Sequence, residues 1–246
     1  MGLENFDMSD FQAEPITTTS DISSQPVRGR LWRFLFTQVD IASIVFFRVI
    51  FGVIMLWHVA KYFQNDGIAF YYIKPQFHLT FYGFEWVRPW PGDWMYVHFA
   101  VMGLAALCVL LGCCYRIAAV VLFLTFTQQF LIEKSLYQNH YYLMSLISFL
   151  MIFIPAHRAC SVDALFRPAI ESATIPAWTI WLLRVQLGIV YFYGGLAKLN
   201  GDWLRGWPMR IWLGRHNDFP VLGSYVHEEW CVMFFSYGGL MFDLLI

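Results

Sequence analysis

At neutral pH, protons are moved by imidazoles and by amines held away from water. This 246-residue chain places one of each at the end of an apolar segment, His140 opening one and Lys198 closing the next. A lysine in apolar surroundings has its charged form disfavoured by desolvation, and the neutral amine is then available as a base. The same residue has a plainer reading, in which its ammonium reaches the interface or pairs with Asp202 four residues on. Two consecutive membrane-crossing helices run antiparallel, so His140 and Lys198 come to one face, beside the amide of Asn139. The plainer reading of Asn139 and His140 is a polar helix start at the water boundary. Arg184, Tyr191 and Lys198 are spaced by seven, which on a helix gives one polar stripe about 21 Å long with a drift of ~20° per heptad. Gly194 and Gly195, just before the lysine, remove side-chain bulk beside it. That gap suits either close helix packing or a flat ligand.

The elements that would hold these residues are set by composition. The chain is 59% hydrophobic, 20% aromatic and only 13% charged, with net charge -1 and mean hydropathy +0.52. A soluble domain averages roughly 25% charged residues. The shortage of charge excludes an ordinary soluble globule and a disordered chain. The absence of a basic run excludes a nucleic-acid binder. Five cysteines without a C-x-x-C pair suggest neither a disulfide scaffold nor a zinc site. The expected class is an all-α, polytopic integral membrane bundle of five to six transmembrane helices with interfacial amphipathic segments.

Residues 1–29 are polar and read as a flexible tail, leaving 30–246 as the transmembrane domain. The basic and aromatic run Arg30 to Phe36 suits the headgroup layer. Candidate spans follow at Ile41 to Ala60, Trp94 to Cys114, Ile117 to Ile132, His140 to Ile154, Ala177 to Lys198, and from Trp230 onward. The chain is still apolar at Ile246, so it is expected to be the front part of a longer protein. Basic residues divide six against six between the two sides, and only Arg28, Arg30 and Arg33 before the first span favour an inner N-terminus.

Charge inside a span costs roughly 2.5–3.5 kcal/mol on insertion scales. For Arg48 and Arg184 the structural reading is pairing with backbone carbonyls or polar groups of neighbouring helices. Trp203, Arg205, Trp207, Arg210, Trp212 and Arg215 read as an interfacial belt. His58, His78, His98, His157, His216 and His227 lack the spacing of a metal site. Cys108, Cys113, Cys114 and Cys160 read as packing residues.

Four ordered motifs carry a family resemblance: Asp93 to Tyr96 leading to Leu111 to Arg116, Phe130 to Leu143, Ser161 to Phe166, and Leu183 to Gly206. From about Val39 onward the chain resembles vitamin K-dependent gamma-glutamyl carboxylase and the wider HTTM superfamily. The resemblance implies oxidation of vitamin K hydroquinone by O2, coupled to proton abstraction from a peptide glutamate and addition of CO2, without biotin, ATP or metal. It implies Lys198 and His140 as catalytic residues and Asn139 as a quinol-binding residue. Tyr191 and Arg184, on the same polar stripe, are further candidates for substrate binding.

The expected partners are the bilayer and a glutamate-containing peptide, with no nucleic acid. The expected location is the endoplasmic reticulum membrane in a eukaryote or the plasma membrane in a bacterium. The animal enzymes carry adjacent lysines where this chain has Ala197 and Lys198, and a first-loop cysteine that the segment Asn65 to Asp93 lacks. The alternative reading is an HTTM membrane protein that keeps a quinone or lipid pocket and carboxylates no glutamate.

Overall fold

The computed structural model describes residues 27–215, 223, 225 and 227–245. The expected tail at 1–26, His216 and Ile246 lie outside them. Residues 27–29, counted with that tail, instead open a helix, α1 (Val27–Phe36). A short strand β1 (Gln38–Asp40) leads into α2 (Ala42–Gln64), followed by α3 (Trp94–Leu111), α4 (Tyr115–Ile132) and α5 (Asn139–Phe153). After α6 (Val162–Phe166) and β2 (Thr174–Pro176) come α7 (Trp178–Lys198), the short α8 (Gly201–Leu204), α9 (Trp207–Leu213) and α10 (Glu229–Leu245). The molecule is an all-α membrane bundle. Four of its described helices, α2, α3, α4 and α7, are long and apolar enough to cross a bilayer, and α5 is a shorter apolar helix.

Burial follows one rule through the first three spans. Ile44, Arg48, Phe51, Met55 and His58 are buried on α2, and Met95, Phe99, Met102, Ala106 and Val109 on α3. On α4 the buried series is Tyr115, Ala119, Leu122, Phe126 and Gln129. Each series alternates steps of four and three, which keeps one stripe of a helix against its neighbour. Consecutive helices accordingly pack in sequence, α2 on α3, α3 on α4 and α4 on α5, while α7 packs chiefly on α10. Small residues let the backbones approach. A Cβ on Gly52 would lie 2.8 Å from the Leu110 backbone, the close approach that small residues permit in membranes.

Arg48 is the largest fully buried side chain, at 1% exposure. Its Nη1 donates to the Ala156 carbonyl at 2.6 Å and the Ala159 carbonyl at 3.3 Å, and its Nη2 to the Cys160 carbonyl at 2.6 Å. The structural reading of Arg48 therefore holds: its partners are backbone carbonyls of the turn after α5. That turn positions Asp163, whose two carboxylate oxygens accept from the Cys114 and Tyr115 amides at 2.8 and 2.9 Å. Free amides at the first turn of α4 are thereby satisfied. Gly112 is the pivot. Its φ is +65°, and a Cβ there would overlap the Ser161 side chain and crowd the Arg48 guanidinium at 3.0 Å.

This turn corrects several sequence boundaries. The second span ends at Leu111, not Cys114, because Gly112 turns left-handed, and the third begins at Tyr115. Cys114 and Cys160 are exposed rather than packed, and both have positive φ, 44° and 46°. The first span runs on to Gln64. At the other end of the path, Val39 pairs with Ile175 in an antiparallel two-stranded ladder. The Ala177 amide also donates to the Thr37 carbonyl at 2.9 Å. That ladder makes α2 and α7 start at the same face.

Replacing Arg48 by Leu leaves three carbonyls of the turn after α5 without their donor, that of the fully buried Ala156 among them. The expected loss is roughly 3 kcal/mol or more, read as a clear fall in thermal unfolding temperature in detergent. An unchanged temperature would remove Arg48 from its central role.

Candidate functional site

Lys198 is the last residue of α7. Its Nζ lies 2.5 Å from Oδ2 of Asp243, with side-chain exposures of 23% for the lysine and 13% for the aspartate. The amine also sits 4.9 Å from the centre of the Trp203 ring. The partner is therefore neither open water nor Asp202. The helix stops at Lys198, with Leu199 leaving helical geometry at ψ 54°, so the four-residue spacing to Asp202 no longer describes one helix face.

Glycines make the ion pair possible. A Cβ on Gly194 would come within 3.2 Å of the Asp243 carboxylate, and one on Gly195 within 2.7 Å of the Leu244 side chain. On the facing helix a Cβ on Gly239 would meet Lys198 Nζ at 3.9 Å. Of the two readings of Gly194 and Gly195, the structure shows close packing: α10 takes the room they leave. The lining of the pair is rigid. Trp203 Nε1 donates to the Ser236 carbonyl at 2.8 Å, and Ser236 Oγ donates back to the Trp203 carbonyl at 2.6 Å. Trp203 is 8% exposed, so it belongs to this packing and not to the interfacial belt, while Trp207 and Trp212 are exposed.

Tyr191 is exposed on α7, and its ring meets that of Phe242 edge-on at 5.9 Å. Tyr191 and Lys198 thus both face α10, with the exposed Tyr191–Phe242 ring pair about 10.5 Å back along α7 from the lysine at ~1.5 Å per residue. Arg184 is not part of this cluster. It lies about 21 Å from Lys198 along α7 at ~1.5 Å per residue, is exposed, and stacks over Trp181 at 5.3 Å.

Asn139 and His140 open α5, both exposed. No hydrogen bond or ion pair among the described residues joins either of them to Lys198. The His140 ring stands edge-on against Tyr141 at 4.6 Å, and Tyr141 stands edge-on against His58 at 5.1 Å. Behind them is a buried polar chain. His58 Nε2 is 3.0 Å from Gln129 Oε1, and Gln129 Nε2 donates to the Tyr72 hydroxyl at 3.3 Å. Tyr72 lies on a π-helical turn, Ala69–Ile73, in the loop after α2, and burial pushes its hydroxyl up to about 12. Next to His140, a cleft of about 280 Å³ is lined by residues that include Lys61, Tyr62, Asn65, Gln138 and Tyr141.

The long loop is tied down at the same face. Glu133 accepts from the Leu79 and Ser135 amides at 3.4 and 3.0 Å, and its Oε2 lies 3.2 Å from His78 Nδ1. Burial raises its carboxyl, but the hydrogen bonds from Ser135, His78 and Leu79 outweigh that and hold it below the ordinary carboxylate range.

Asp243, Gln129 and Tyr72 are left out by the sequence reading, and His58 enters it only as one of the histidines without metal-site spacing, not as a member of this buried chain. The signal for Asp243 was a carboxylate inside an apolar run, the same rule that singles out Arg48. For His58 and Gln129 it was a polar residue on a buried stripe of steps four and three.

A family model described as the HTTM domain matches residues 36–246. No solved structure matches the chain.

Glu133 titrates lower folded than unfolded, so its contribution is present above about pH 4.3 and is lost as pH falls through the lower folded value. Glu133→Gln is expected to cost about 1–2 kcal/mol at pH 7. Its melting curve should converge on that of the parent protein in strong acid. A gap that stays constant with pH would contradict this origin.

Proposed function

Because the chain belongs to the HTTM domain family, we propose that it is a vitamin K hydroquinone-dependent gamma-glutamyl carboxylase, or the membrane core of one. HTTM domains are found in members of the vitamin K-dependent carboxylase family. The observation that carries the reading is the amine of Lys198 held at 2.5 Å from Asp243, both largely buried, on the α7–α10 contact that also carries the exposed Tyr191–Phe242 ring pair. A hydroquinone with an isoprenoid tail partitions into lipid and reaches such a site sideways, from the bilayer. The donors present fit it: an aromatic flank for the ring and an amine for its weakly acidic hydroxyl.

In this reading Lys198 is the base. Its ammonium proton passes to the Asp243 carboxylate, leaving a neutral amine and a neutral acid, and the amine then accepts the hydroxyl proton of the hydroquinone. An apolar ring that displaces water favours the neutral pair, since desolvation penalises separated charge. Trp203 fixes the far side of the amine, and the α7–α10 glycines keep both side chains within reach. Oxidation of the hydroquinone by O2 supplies the drive for removing a proton from the glutamate γ-carbon, to which CO2 adds. His140, at the same face, is assigned to proton transfer, and Asn139 to a hydrogen bond with the quinol oxygen. Exclusion of water protects the carbanion from being quenched by solvent.

The test is epoxide formation by membranes containing the chain, supplied with reduced vitamin K, O2, CO2 and a glutamate peptide. Lys198→Ala is expected to lose about 10²–10⁴-fold, the usual contribution of a general base. Lys198→Arg should fail equally, because a guanidinium supplies no neutral amine. Asp243→Asn should lose about 10- to 100-fold through misplacement of the amine, with partial recovery in Asp243→Glu. Epoxide formation that survives in Lys198→Ala overturns the role of the lysine. Lysine-dependent epoxide without peptide carboxylation selects the alternative, a quinone-oxidising HTTM protein that modifies no glutamate.

A further inference from the structure

Arg184 stands apart from the Lys198 cluster and asks for its own partner. It is six residues into α7, about 9 Å along the axis from Trp178, and it is exposed rather than turned into the bundle. Its guanidinium lies over the Trp181 ring at 5.3 Å. Trp181 is also met by Phe34 of α1, with ring centres 5.4 Å apart, and this contact seats α1 against the start of α7. Arg30 is four residues before Phe34 and so shares its side of α1, and Arg33 follows one turn later. Arg30, Arg33 and Arg184 are all exposed. Among the described residues, no carboxylate is ion-paired with any of them.

The level of this cluster in the membrane follows from the elements around it. The β1–β2 ladder and α1 lie where α2 and α7 enter the bilayer, so the cluster is at the headgroup layer, and Arg184 reaches up to it from one turn below Trp181. An unpaired guanidinium facing lipid is costly. Its charge is best satisfied by a phosphate, which arginine grips through two parallel N–H donors. A tryptophan ring beneath suits the glycerol and upper acyl region, apolar on one side and wet on the other. Three cations without a counter-charge discriminate against a headgroup carrying its own choline or amine, because like charges would be juxtaposed.

We propose that Arg30, Arg33 and Arg184, around Trp181 and Phe34, form a binding site for the headgroup of one anionic glycerophospholipid, which cements α1 to α7. The site stands independently of the carboxylase reading.

The experiment uses the full chain in nanodiscs of phosphatidylcholine alone or with phosphatidylglycerol added. It is followed by native mass spectrometry of the released protein and by thermal unfolding in each disc. The expected result is one phosphatidylglycerol retained by the parent protein and a higher unfolding temperature in the anionic discs. Arg184→Ala should lose both effects, Arg184→Lys should keep part of them, and Arg205→Ala, at the opposite face, should keep them in full. The double variant Arg30→Ala and Arg33→Ala lies outside the spans, so it tests the site even if Arg184→Ala fails to insert, and it too should lose the retained lipid. Equal retention of phosphatidylcholine and phosphatidylglycerol by the parent protein overturns the proposal. So does undiminished phosphatidylglycerol retention in the double variant.

Discussion

One guanidinium holds the molecule's order together. In a bilayer a backbone carbonyl outside a helix has no water to turn to, and it must be satisfied from within the protein. The chain between α5 and α6 leaves helical geometry, and Arg48 of α2 supplies hydrogen bonds to three of its carbonyls. The turn so fixed carries Asp163 to the start of α4, and the β1–β2 ladder then sets where α7 begins. Gly112 is required by the same arrangement, since no other residue leaves room for both its backbone conformation and the arginine. A charge that is costly on its own in lipid is here spent as a hydrogen-bond donor, and its neighbours are built around it.

On this frame the candidate catalytic groups His140 and Lys198 belong to two separate systems. One is internal to α2, α4, α5 and the loop after α2, where His58, Gln129 and Tyr72 are hydrogen-bonded in a chain and Tyr141 relays their packing to His140. The other is the α7–α10 pair, in which Lys198 and Asp243 meet across a glycine-thinned contact roofed by Trp203. His58, Gln129 and Tyr72 of the first are buried among aromatic rings, whereas the α7–α10 contact of the second carries exposed rings, Tyr191 and Phe242. In the proposed reading, that difference in access is why the lysine pair, and not the internal chain, is assigned as the base for a lipid-soluble hydroxyl.

Much of this was legible in the sequence, for physical reasons that differ by feature. The helices were visible because membrane crossing demands long apolar runs, whereas the buried stripes on α2, α3 and α4 emerged only with the structure, since such runs are apolar all round. The carbonyl partners of Arg48 were foreseeable because a buried charge has few alternatives. The pairing of Lys198 was not, since Asp243 lies 45 residues away and only tertiary packing brings α10 onto α7. The end of the second span was missed because Cys113 and Cys114 are apolar, and hydropathy does not register the left-handed turn at Gly112. The position of Arg184 shows the converse limit: a seven-residue spacing puts residues on one stripe without putting them in one site.

The central claim is that an apolar hydroquinone binds against α7 and α10 beside Lys198. The most direct measurement is photoaffinity labelling of the chain in membranes with a photoreactive naphthohydroquinone, with peptide mapping of the adducts. The account predicts labelling concentrated in the peptides that contain Tyr191 to Trp203 and Ser236 to Leu245, suppressed by excess unlabelled hydroquinone. Labelling that competes away elsewhere, with those two segments untouched, would contradict it.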